Sequence, residues 1–247
     1  MPRKTRHPEY TTATLVLPGV FNPDSFSPTA LAEQKAISRK DATIAKFRTL
    51  APGTVVHFEL LWGEIFVTTD RIQVSTTEAP YVRICDFVVK ALSDQASEPL
   101  VHAFGVNVES HFDLGSVKAR DEIGVKLAPP EAWGAWGRGM RATYSASPEK
   151  HGGVFRLQMR MPFAEDDIAG WLDVTIGPSE RIANSTGIFF RTNHHHRISR
   201  TALSSDASKN DKRPVMSDSR LLLAELARRF DGSVMNAEKI FHDVIGD

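Results

Sequence analysis

Three consecutive histidines, His194-His195-His196, lie between Asn193 and Arg197. On an extended backbone successive side chains alternate, so His194 and His196 point the same way. Neutral imidazoles at i and i+2 can hold a divalent metal. A third ligand has to come from elsewhere, and by type His111, Glu109, Asp173 and His242 qualify. The chemistry would be metal-dependent hydrolysis, nuclease activity included. The plain alternative is a His-rich segment where a strand runs out into a loop. No HExxH, clustered-cysteine or calcium-loop pattern backs the metal, and there is no P-loop, GxGxxG or GxSxG motif. No cofactor is expected beyond that possible divalent ion.

A second group is Asn107, Glu109 and His111. These hydrogen-bonding side chains recur at i, i+2 and i+4 on one side of a predicted strand. Phe104, Val106, Val108 and Phe112 occupy the other side. The polar side is either a solvated sheet face or the floor of a small-ligand site. Arg191 belongs to a similar polar face together with Arg156, Arg160 and Asp173. Trp133 and Trp136, in a Gly/Pro-rich loop over 129–139, either line a binding lip or plug the end of a core.

The elements that hold these groups are legible as periodicity. Val56, Phe58, Leu60 and Trp62 alternate with a mixed side of Val55, His57, Glu59 and Leu61, Gly63 marks a turn, and Ile65 to Thr69 and Ile72 to Val74 resume the β pattern. Pro80 opens a helix whose apolar stripe is Tyr81, Ile84, Cys85, Val88 and Leu92. Upstream, Thr11 to Leu17 is the first strand, stopped by Pro18-Gly19. Short helices are predicted after Ser27 and from Asp41, the second with Ile44, Phe47 and Leu50 as its apolar side. The stretch 113–127 is helical by composition, and 154–161, 171–176 and 188–193 form an antiparallel meander. Residues 200–217 are a polar, mobile loop with a short basic run from Lys209 to Arg213. Two C-terminal helices follow over about 219–245, divided at Asp231-Gly232. The expected fold is α+β: a large, mainly antiparallel twisted sheet, helix-covered on one face and polar on the other. Residues 1–10 are a flexible N-terminus and 11–247 a single domain.

Composition narrows the function. Thirty basic and thirty acidic side chains give zero net charge, which disfavours a broad nucleic-acid surface. The single cysteine, Cys85, forms no internal disulfide and reads as a buried thiol. The basic start lacks the apolar core of a signal peptide, and no apolar run reaches membrane-spanning length. A cytoplasmic location is expected.

The stretch from Trp62 to Phe112 resembles sporadically distributed bacterial proteins of about this length with no assigned activity. The likeness rests on Asp70-Arg71-Ile72-Gln73-Val74-Ser75, a helix opened near Tyr81, and Phe104-Gly105-Val106-Asn107-Val108. It transfers no catalytic residue, and implies an accessory or defence-type gene neighbourhood. The leading expectation is a non-enzymatic interaction or assembly module that self-associates or binds a protein partner. The alternatives are the metal-dependent hydrolase and a small-ligand-binding protein.

Overall fold

The computed structural model describes residues 6–93, 100–139, 152–165, 167–199 and 218–246. The loop expected over 200–217, with its basic run, lies outside the described residues. Among the described residues there are ten strands: β1 (Tyr10–Val20), β2 (Lys46–Ala51), β3 (Val55–Leu60), β4 (Gly63–Thr68), β5 (Arg71–Thr76), β6 (Leu100–Val101), β7 (Ala103–Asp113), β8 (Leu157–Glu165), β9 (Ile168–Pro178) and β10 (Gly187–Ile198). The helices are α1 (Pro28–Glu33), α2 (Arg39–Ile44), α3 (Val82–Ser93), α4 (Val117–Leu127), α5 (Gly134–Gly139) and α6 (Asp218–Ile245). The fold is α+β.

The strands form one sheet in the order β2-β3-β4-β5-β1-β7-β10-β9-β8, with β6 paired to β1. Every pairing is antiparallel. Two meanders, β2 to β5 and β8 to β10, flank the central pair β1 and β7. Tight two-residue loops such as Leu61-Trp62 and Thr69-Asp70 set the register on one side, as Gly63 predicted.

Alternation divides the sheet into two unlike faces. Leu15, Leu17, Val56, Phe58, Ile65, Ile72, Phe104, Val106, Phe112 and Phe190 are buried on one of them. Helices α1, α3, α4 and α6 pack there, contributing Leu31, Ile84, Val88, Ile123, Leu226, Phe230 and Phe241 to the same core. Cys85 is buried in this layer, its thiol 3.9 Å from the Leu226 carbonyl oxygen. Burial pushes its pKa up to about 12, so it stays a protonated apolar group.

Four local expectations are corrected. The C-terminal segment is one helix of 28 residues, not two. Gly232 weakens a helix interior by about 1 kcal/mol. However, Leu222, Leu226, Phe230, Val234, Ala237, Phe241 and Ile245 keep a single buried stripe through it, and that burial dominates. Phe47 and Leu50 lie in strand β2 and are exposed, because that segment pairs with β3 instead of continuing α2. Strand β1 runs past Pro18-Gly19 to Val20, since the Pro18 carbonyl accepts from the His102 amide (3.0 Å) and the Gly19 amide donates to the Asp70 carbonyl (2.9 Å). Strand β10 does not end at the histidines. It continues to Ile198, with both neighbours paired along its length.

Candidate binding site on the open sheet face

The register assigns each candidate residue to a face. On β10, Thr192, His194 and His196 point into the helix-covered core, while Arg191, Asn193, His195 and Arg197 point to the other face, the open face, which no helix among the described residues covers. His194 and His196 therefore share a side, as alternation requires, but that side is dry. They are 6% and 4% exposed. His196 stacks on Phe104 with centroids 4.5 Å apart and leans on Phe163 at 5.1 Å. Among the described residues, Nε2 of His194, both ring nitrogens of His196 and Oγ1 of Thr192 have no hydrogen-bond partner. Burial holds the His194 pKa down to about 4 and that of His196 to about 3, so both are neutral near pH 7.

The sheet itself separates these two histidines from most of their proposed co-ligands. His111, Glu109 and Asp173 stand on the open face. His242 is on the core side but lies beside Phe112, six residues along β7 from the Val106 position opposite His194. That is about 20 Å of strand. Among the described residues no group of three or more His, Cys, Asp or Glu side chains is placed to hold a metal ion.

The open face brings the other candidates together. Glu109 is directly opposite Arg191, and Asn107 directly opposite Asn193. Arg191 extends its guanidinium 6.0 Å from the Phe189 ring centre. Glu109 Oε1 lies 3.2 Å from His111 Nε2 and 3.7 Å from Arg181. Ser179 completes this corner, with Oγ 2.7 Å from His111 Nδ1. The backbone amides of Arg181 and Ile182 both donate to that Oγ, at 3.2 and 3.3 Å. Its lone pairs are committed, so its hydroxyl donates to Nδ1, and His111 carries its proton on Nε2 toward Glu109. The Ser-His-Glu chain resembles a hydrolytic relay in its order, but the Ser179 Oγ lone pairs accept from the Arg181 and Ile182 amides of its own turn. Sequence reading missed Ser179 because a turn serine far along the chain gives no local signal of a histidine partner.

Two rows cross the open face from edge to edge. One runs Arg160, Asp173, Asn193, Asn107, Thr14, Ser75, Glu64, Glu59, Lys46, a hydrogen-bonding side chain on each of nine strands. The next runs Pro162, Trp171, His195, Gly105, Val16, Gln73, Phe66, His57, Thr49, with rings toward both ends. Trp171 and His195 stack at 4.0 Å with 20° between planes, and the Arg160 guanidinium lies 4.6 Å over Trp171. Arg160 also binds Asp173 through two short bonds, 2.6 and 2.7 Å, which hold the Asp173 carboxyl below its ordinary range. At the far end His57 meets Phe66 edge-on at 5.4 Å and Arg71 lies 5.5 Å from the Phe66 ring centre.

No family model and no curated protein matches this chain.

Trp133 and Trp136 do not plug the core. They are 57% and 66% exposed and pack on each other at 5.7 Å, Trp133 at the end of the turn that precedes α5 and Trp136 within α5. No helix among the described residues is long and apolar enough to cross a membrane.

Proposed function

We propose that this protein is a non-enzymatic binding module that engages its partner through the open face of the sheet. The observation that carries the reading is the unbroken polar row over nine strands beside a row with a stacked Trp171–His195 pair at one end and an edge-on His57–Phe66 pair toward the other. Antiparallel sheets tolerate one wet face, and such a face is ordinarily lined by flexible charged chains. Here the central positions are short and constrained: Thr14, Ser75, Asn107 and Asn193 stand in one line. Short hydrogen-bonding chains lose little rotamer entropy on binding, and locked rings present contact area at small entropic cost. The same face holds Asn107, Glu109, His111 and Arg191 within one patch, which unites the interaction-module and ligand-binding expectations.

The test is capture from the native host extract by immobilised protein, comparing wild type with Asn107→Arg and with Glu238→Arg on the helix layer. The reading predicts a species, identified by mass spectrometry, that wild type and Glu238→Arg retain and Asn107→Arg loses, with all three melting alike. Equal capture by all three, or loss confined to the helix variant, defeats it.

A further inference from the structure

The deck formed by Arg160, Trp171 and His195 is one step short. On the next strand, β7, the corresponding open-face position is Gly105, which carries no side chain. Beyond it, on β1, stands Val16. Two strand spacings, about 10 Å, therefore separate the His195 backbone from that of Val16. A planar ring stacked against His195 at the roughly 4 Å separation that His195 keeps from Trp171 fits the backbone span to Val16 once the side-chain ends that cover Gly105 swing aside. Gly105 is itself buried beneath its neighbours. A methyl group on it would stand 3.1 Å from Asn193 Oδ1 and 3.7 Å from Asn107 Nδ2. So one carboxamide acceptor and one carboxamide donor converge at the floor of the missing step. One row further along, Arg197 stands opposite Ala103 and is exposed, a guanidinium beside a second small residue.

We propose that the Gly105 step is a nucleobase site. The base continues the stack on His195, its hydrogen-bonding edge meets the Asn193 and Asn107 carboxamides, and Arg197 receives the attached phosphate. A carboxamide pair reads the mixed donor and acceptor edge of a base, whereas a simple benzenoid ring gives it nothing to bind. Stacking needs no particular base, so the site tolerates several. Zero net charge over the whole chain does not oppose a site this small, since one base and one phosphate need only a local cation. This inference rests on the open face being the binding surface, and it names the ligand chemistry there.

The probes are AMP, GMP, CMP, UMP, adenosine, ribose 5-phosphate and short single-stranded deoxyoligonucleotides, titrated by calorimetry against the full chain. Wild type should bind nucleotides and leave ribose 5-phosphate unbound. Gly105→Val fills the step against flexible side-chain ends, and His195→Ala removes the stacking face. Each should weaken binding about tenfold, the size of one lost base stack, with unchanged melting. Arg197→Ala should weaken AMP and leave adenosine as it was. Binding of mononucleotides assigns the source to free nucleotides. Binding of oligonucleotides alone, with the same sensitivity to Gly105→Val, assigns it to a single strand. No binding of any probe, binding of ribose 5-phosphate as tight as AMP, or indifference to both Gly105→Val and His195→Ala overturns the nucleobase site. The capture comparison uses no nucleotide, so the open-face reading stands or falls separately.

Discussion

At the residue scale the most informative side chains are the two histidines that the sequence offered as metal ligands. Nε2 of His194 and both ring nitrogens of His196 face a dry core, where an unsatisfied polar group costs about 1–3 kcal/mol. His194→Leu and His196→Phe should therefore each raise stability by about 1 kcal/mol or more in denaturant titrations, and a loss of similar size would show that these nitrogens have an essential partner. The same burial fixes the response to acid. With folded values near 4 and 3 against an ordinary 6.5, the unfolded chain takes up protons first. Stability should fall as pH drops below about 6.5 and level off, for these two groups, near 3. The double variant His194→Leu/His196→Phe should flatten that slope between pH 6.5 and 4, and an unchanged slope there would contradict the assignment. Alternation in the sequence revealed that these two residues share a side. It did not reveal which side, because a pair of histidines reads as polar in any pattern and only Phe104 and Phe163 packed around His196 show the site to be apolar.

At the element scale the continuous α6 carries the clearest prediction. A methyl group at Gly232 would meet open space, and the residue sits in regular helix. Gly232→Ala should stabilise the protein by about 0.5–1 kcal/mol, and a destabilisation would mean that the helix breaks there in solution. Leu226→Ala, one turn before Phe230 and fully buried, should cost about 2–5 kcal/mol in the same assay. The sequence predicted a break because Asp-Gly-Ser is strong local punctuation. What overrode it was the apolar stripe, whose phase from Leu222 to Ile245 is the same on both sides of the glycine. The strands were more legible, since their period-2 patterns are strong from Val55 to Val74 and from Phe104 to Phe112. Strand β2 was lost because Phe47 and Leu50, both exposed, happen to match helical spacing after Ile44.

At the scale of the whole molecule, ten antiparallel strands with helices on one side leave a second face whose rows are set only by register. That is why the candidate site was half visible beforehand. Asn107, Glu109 and His111 announce a polar side within one strand. Their alignment with Asn193, Arg191 and the Trp171–His195 stack depends on pairing β7 with the distant β10, which no local pattern encodes. A dry histidine pair lies below the sheet and a constrained polar and aromatic surface above it, and the proposed recognition uses that upper surface.

The most direct measurement is a nuclear magnetic resonance titration that follows the side-chain amides of Asn107 and Asn193 and the indole of Trp171, with Lys239 and Met235 on α6 as controls. The added species would be the partner recovered by capture, followed by AMP. The account predicts saturable shifts at the three open-face reporters with the α6 signals unmoved. Shifts confined to α6, with Asn107, Asn193 and Trp171 silent, would contradict it.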